Sequence, residues 1–149
     1  MRYRLKLASW TVVRERGQPS PRILTDPAAV ALLSADLLKD ADDDKEHFWS
    51  IHLNAQNHYL LATEVSVGTQ SASLVHPREV IGPALREGAA AIILIHNHPS
   101  GDPTPSKEDI RLTRQLVDAA RLVDLKLHDH VIIGNGSGRW VSMSERGLI

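Results

Sequence analysis

Two histidines and one aspartate in the second half of the chain have the residue types and the spacing of a metal site. His96 and His98 follow an uninterrupted apolar run over residues 90–95, and ten residues then separate His98 from Asp109. If the apolar run is a β-strand, positions i and i+2 face the same side, so both imidazoles can address one ion. Two neutral imidazoles and one carboxylate leave a fourth position for water, which is the composition of a catalytic zinc site.

Each part of this pattern also has a purely structural interpretation. Histidines two positions apart on a strand are more often structural than ligands. Ser106 to Asp109 fits a variant capping box, with Ser106 as the N-cap and Asp109 turned back on the helix end. The acidic stretch over residues 40–44 is most simply a solvated linker. The metal-site prediction therefore depends on the conjunction of a buried strand, H-x-H-P and S-x-x-D.

Composition excludes several classes of site and partner. The chain of 149 residues contains no cysteine, so any metal must be held by histidine, aspartate or glutamate. The net charge is −1, and lysine and arginine are scattered, which argues against a nucleic-acid surface. No apolar run approaches the roughly 20 residues of a membrane span, and the first residues do not resemble a signal peptide. We therefore expect a cytoplasmic protein with no membrane partner.

Hydrophobic periodicity and turn residues predict one domain over residues 1–149, with its core at about 25–149 and a strand and loop at 1–24. Gly82-Pro83 lies inside the second predicted helix, so we expect that helix to be kinked or short. The architecture expected is a three-layer α/β domain whose mixed, largely antiparallel sheet is flanked by helices. Helices are predicted at 27–39, from 76 onward and at 106–122, and strands at 3–13, 46–54, 58–68, 89–95, 125–134 and 138–144.

The remaining histidines and the tryptophans have simpler interpretations. His128 and His130 form a second H-x-H, but no S-x-x-D follows them, so we expect them in the core or supporting the site from behind. Trp49 and Trp140 are predicted to fill the core, and Trp10 to cover the edge of the sheet. The helix predicted from residue 76 begins at His-Pro, a helix-start pattern.

The string HNHPSGDPTPSKEDI over residues 96–110 combines the two motifs at the ten-residue spacing of the JAMM motif. It resembles the RadC family within the JAB/MPN superfamily of JAMM metalloproteases. The similarity covers about residues 25–149, and its other segments are SLVHPREV (73–80), AAAIILIHNHPSG (89–101), LHDHVIIG (127–134) and RWVSMSERGLI (139–149).

This resemblance implies a JAB/MPN-like (cytidine deaminase-like) fold and a role for each site residue. His96, His98 and Asp109 match the ligands of a single zinc ion, and Ser106 matches the serine that supports the oxyanion. A glutamate from an earlier strand is expected to be the general base and acid; Glu46 is the candidate, and Glu64 in the next strand is the competitor. The implied activity is hydrolysis of an amide bond in a protein or peptide by a zinc metallopeptidase or isopeptidase.

Two other functions remain as alternatives. The family was named for DNA repair, which suggests a DNA-repair-associated factor, although the charge of the chain argues against nucleic acid. A non-catalytic MPN interaction module is the third possibility, and retention of the ligands argues against it. The consecutive letters His-Asn-His do not indicate an HNH nuclease, whose three residues are dispersed. Compared with the full-length family pattern, the chain is expected to be a short stand-alone form without the helix-hairpin-helix region; its oligomeric state is left open.

Overall fold

A five-stranded mixed sheet forms the centre of the computed structural model, which describes residues 23–68 and 75–149. The strand predicted at 3–13 and Trp10 lie outside these residues. The strand order in the sheet is β2-β1-β3-β4-β5, which places β3 in the middle. The elements of the described chain are α1 (Pro27–Leu37), β1 (Glu46–Leu53), β2 (Tyr59–Gly68), α2 (Pro77–Arg86), β3 (Ala91–His98), α3 (Lys107–Arg121), β4 (Lys126–Gly134) and β5 (Trp140–Ser142).

The sheet separates two hydrophobic clusters, so the predicted three-layer α/β architecture is confirmed. Ile92 and Leu94 of β3 face one cluster, which they share with buried residues of α2 and α3. Ile93 and Ile95 alternate with them and face the other cluster, which is covered by α1. The strand pairs β1–β2, β1–β3 and β4–β5 are antiparallel, and β3–β4 is parallel. The sheet is therefore mixed and largely antiparallel, as expected.

β3 extends beyond the apolar run that predicted it and carries both histidines of the H-x-H motif. The apolar part of the predicted strand covers residues 89–95, and the expectation that His96 and His98 also lie on this strand is confirmed, since the strand continues to His98. Its two neighbours explain the extension, since Phe48 of β1 pairs with His96 and Gly134 of β4 pairs with His98. Pro99, which has no backbone N–H, then follows the last paired residue.

The last predicted strand, 138–144, is shorter than expected. Only Trp140–Ser142 pair with β4. The buried carboxylate of Asp129 accepts hydrogen bonds from the Ser142 hydroxyl (2.6 Å) and the Ser144 backbone N–H (2.9 Å). Asp129 Oδ1 also accepts from the backbone N–H of His130 at 2.7 Å, so neither this N–H nor that of Ser144 is left for pairing between the strands, and the chain turns.

The other elements agree with prediction to within a few residues. The first helix ends at Leu37 rather than at residue 39. The second helix is short, as expected, and contains Pro83. Trp49 and Trp140 pack as half-buried side chains against the cluster on the α1 side. None of the helices in the described part of the chain has the length and apolar character needed to cross a bilayer.

His52 should make the stability of this fold depend on pH. It is fully buried on β1, and its two ring nitrogens have no hydrogen-bond partner among the described residues. Burial lowers the pKa of His52 from 6.5 to about 4. The unfolded chain therefore binds the extra proton more readily, so the stability present above pH 6.5 is lost as pH falls toward 4.

We expect the free energy of unfolding to fall by about 2 kcal/mol between pH 7 and pH 5 through His52 alone. His52→Leu removes the titrating ring at similar volume, so it should lose about 2 kcal/mol less than wild type over the same interval. Urea unfolding of both proteins at the two pH values measures the difference. Equal losses in the two proteins would contradict a neutral buried His52.

Candidate metal centre

Three side chains converge where β3 ends and α3 begins. The Nε2 atoms of His96 and His98 lie 2.8 Å apart. Asp109 lies against both, with Oδ1 3.4 Å from His96 Nε2 and Oδ2 3.3 Å from His98 Nε2. One ligand atom from each residue falls within 4.8 Å of the others, so the predicted triad is brought together and could hold a metal ion.

The histidines share one side of the sheet because β3 alternates its side chains. His96 and His98 face the α2–α3 side together with Leu94, and Asn97 faces the opposite side. Fixed backbone bonds anchor the end of the strand: the carbonyl of His98 accepts from the N–H groups of Gly101 (3.1 Å) and Asn135 (3.1 Å). The ring orientation of His98 is also set, since its Nδ1 donates to the carbonyl of Asp102 at 2.8 Å.

Two glycines allow the loop between β3 and α3 to pack close to the end of β4. Gly101 has φ +84°, a left-handed conformation that side chains rarely adopt. A Cβ added at Gly134 would lie 2.2 Å from the carbonyl oxygen of Gly101. The backbone at Gly101 therefore packs directly against the backbone at Gly134. This close packing places the first turn of α3, which carries Asp109, beside the two histidines.

Asp109 caps the helix and also lies against the two histidines of the candidate metal site. The Ser106 N–H donates to its Oδ2 at 2.7 Å, and its own N–H donates to Ser106 Oγ at 3.0 Å, so a capping box forms. The same carboxylate faces His96 and His98. Helix capping thus fixes the carboxylate in the orientation that the site needs, and the structural interpretation does not exclude the metal-site interpretation.

The pKa shifts of the three triad residues favour the binding of a cation. Burial lowers the pKa of His96 to about 4, and the charge of Asp109 only partly opposes this shift. Burial would lower the pKa of His98 too, but hydrogen bonds to Asp109 and Asp102 and the charges of Asp109 and Glu46 raise it. Burial raises the pKa of Asp109, yet contacts with His98, His96 and Ser106 hold it well below its ordinary value. The triad therefore contains a neutral imidazole and a permanent carboxylate, ligands that divalent metals bind.

Glu46 lies on the same face of the sheet as the histidines. Phe48 pairs with His96 across β1 and β3, and their rings stack with centroids 5.9 Å apart. Glu46 precedes Phe48 by two residues, so its half-buried side chain leaves the strand on that side. Its charge contributes to the raised pKa of His98. The predicted base candidate is therefore near the triad.

Glu64, the competing candidate, lies on the opposite face. Its carboxylate is 2.7 Å from Nδ1 of His47 and its residue pairs with Trp49. His47 and Trp49 alternate with Phe48 along β1, and Trp49 packs on the α1 side of the sheet. The sheet therefore separates Glu64 from the triad. Ser106 is an exposed residue joined to Asp109 by the capping box.

Sequence reasoning missed two supporting residues, Asn97 and Thr113, and expected His130 either in the core or behind the site. Asn97, set aside between the histidines, accepts from the His47 N–H (2.7 Å) and donates to the Lys45 carbonyl (2.9 Å), which fixes the chain beside Glu46. His130 and Thr113 lie behind His96. The second H-x-H motif was the available signal for His130, but its partner could not be identified without knowing that β4 lies beside β3.

Sequence comparisons with known proteins show the family to which the chain belongs. The sequence model of the RadC-like JAB domain matches residues 24–148. A UPF0758 protein of Moorella thermoacetica is 44% identical over 144 residues, which are 97% of this chain and 58% of the relative. A UPF0758 protein of Desulforudis audaxviator is 44% identical over 132 residues, 89% of this chain and 55% of the relative. In Geotalea uraniireducens a UPF0758 protein is 50% identical over 108 residues, 72% of this chain and 46% of the relative. The chain thus spans about half the length of these relatives.

Proposed function

Because the chain belongs to the RadC-like JAB domain family, we propose that it is a zinc-dependent hydrolase that cleaves an amide bond in a protein or peptide. One observation carries the proposal: His96, His98 and Asp109, the residues that match the JAMM motif, converge as ligand atoms within 4.8 Å. Two imidazoles and one carboxylate are the ligand set of catalytic zinc sites, which keep one position open.

His96, His98 and Asp109 would hold the ion. When bound, zinc supplies Lewis acidity, which lowers the pKa of a coordinated water and polarises the carbonyl of an amide. The protein would keep the ligands oriented. The capping box holds the carboxylate of Asp109, and the Asp102 carbonyl holds the ring of His98. His96 and Asp109 are buried, so little bulk water reaches these two side chains.

Glu46 is the residue that we assign to proton transfer. It would take a proton from the attacking water and later deliver it to the leaving amine, as general base and then general acid. Its effect on His98 and its side of the sheet support this role. Ser106 would donate a hydrogen bond from its hydroxyl to the developing oxyanion. Its Oγ accepts from the Asp109 N–H, so the hydroxyl hydrogen is not used in that bond.

Cleavage of a peptide library tests this function. The chain is stripped of metal with chelator, reloaded with one equivalent of Zn2+ and incubated with peptides from a digested proteome, and new amino termini are counted by mass spectrometry. We expect cleavage with Zn2+ and none in the stripped protein. Stoichiometric zinc without cleavage would favour the non-catalytic interaction module, and failure to bind Zn2+ would remove the metal site itself.

A further inference from the structure

We propose that His130 is a positioning residue that fixes the ring tautomer of His96, so that His96 presents an unprotonated Nε2 to the ion. The proposal rests on the proposed zinc site and adds to it a residue behind the ligands. It is carried by a chain of buried hydrogen bonds from the backbone of α3 through Thr113 and His130 to His96.

Thr113 determines which atom donates in each of these hydrogen bonds. Its Oγ1 lies 2.6 Å from the carbonyl oxygen of Asp109 and 2.7 Å from Nδ1 of His130. A carbonyl oxygen only accepts, so the single hydroxyl proton of Thr113 is donated to Asp109. The sulfur of Met143, at 3.6 Å, is a weak acceptor and does not compete. Towards His130 the hydroxyl can therefore only accept, and Nδ1 of His130 must carry a proton.

The tautomer of His130 in turn determines the tautomer of His96. The His130 ring is fully buried and hydrogen-bonds to Thr113 and His96, neither of which is an anion. A charge there would be unpaired, so the ring is neutral and has one proton. With that proton on Nδ1, its Nε2 is a lone pair 2.7 Å from Nδ1 of His96. His96 must then donate from Nδ1, because the other tautomer would place two lone pairs against each other. The neutral ring of His96 consequently has a lone pair on Nε2, which lies 2.8 Å from Nε2 of His98 and 3.4 Å from Oδ1 of Asp109. A metal ion, or a proton carried by Nε2 of His98, would lie between these atoms.

Packing holds the two rings in this arrangement. Phe48 stacks on His96 with an interplanar angle of 13° and meets His130 edge-on at a centroid distance of 5.3 Å. Metal-binding histidines generally donate their second ring N–H to a carboxylate, a carbonyl or water, which fixes the tautomer. Here a second histidine is the acceptor, and the helix backbone behind it determines which of its nitrogens accepts.

Two substitutions of His130 distinguish the effect of losing the hydrogen bond to His96 from the effect of losing the imidazole ring. His130→Gln places an amide oxygen near the position of Nε2 and can still accept from His96. His130→Asn is also polar but reaches only toward Thr113, so Nδ1 of His96 loses its acceptor. Both remove the imidazole, and thermal unfolding of the metal-free proteins shows whether they remain folded to the same extent.

Zn2+ affinity, measured by competition with a chromophoric chelator, is expected to fall about 10- to 100-fold in His130→Asn and to be largely retained in His130→Gln. Nitrogen-15 NMR of the histidine rings in metal-free wild type should show the proton on Nδ1 of both His96 and His130. Equal affinities in wild type and His130→Asn, or a proton on Nε2 of His96, would overturn the proposal. If wild type binds no Zn2+, the proposed function fails, and the NMR tautomers still decide the role of His130.

Discussion

Asp109→Asn is expected to lower the affinity for Zn2+ by more than about 100-fold, since losing even a residue that supports a ligand costs 10- to 100-fold. The substitution removes a charged ligand while its amide oxygen can still accept from the Ser106 N–H, so the helix cap can persist. The free energy of unfolding of the metal-free protein should change by about 2 kcal/mol or less, the range of a lost helix cap. Chelator competition measures the affinity, and urea unfolding measures the stability.

Glu108→Gln is the matched control. Glu108 is an exposed carboxylate in the same first turn of α3, so its loss removes the same charge from the helix start without touching the triad. We expect this variant to bind Zn2+ like wild type. Equal affinity of wild type and Asp109→Asn would show that Asp109 only caps the helix.

Glu46→Gln is expected to lower kcat by about 10²- to 10⁴-fold on any peptide that the zinc-loaded wild type cleaves, the usual contribution of a general acid–base. Its zinc content should stay at the wild-type level, because Glu46 is not a member of the triad. Steady-state kinetics and metal analysis of the same preparation separate the two quantities.

Glu64→Gln resolves the choice between the two carboxylates. Glu64 contacts His47 on the far side of the sheet, so its replacement should leave kcat within a small factor of wild type. A large loss of kcat in Glu64→Gln together with full activity in Glu46→Gln would reverse the assignment of the base.

Several features of the site follow from local sequence. The period of a strand places His96 and His98 on one face whatever lies beside them, and six preceding apolar residues ensure that this strand is buried. Ser106 and Asp109 specify a helix start through hydrogen bonds over only three residues. The metal-site residues and the start of α3 could therefore be predicted without the fold.

The supporting residues could not be predicted in this way, because they come from neighbouring strands. The sequence around Glu46 and Glu64 does not indicate which face of the sheet each residue occupies. The pairing of Phe48 with His96 places Glu46, two residues before Phe48, on the face of the triad. Likewise His130 meets His96 only because β4 lies parallel to β3.

The sequence by itself thus determined the family, through its motifs and their spacing. It also determined the candidate triad and the helix cap, which depend on strand period and short-range hydrogen bonds. Only the tertiary structure decided which glutamate shares the face of the triad and which histidine supports His96. Strand order and register arise from the packing of the whole sheet between its helices, and residues 17 to 50 positions apart meet only there.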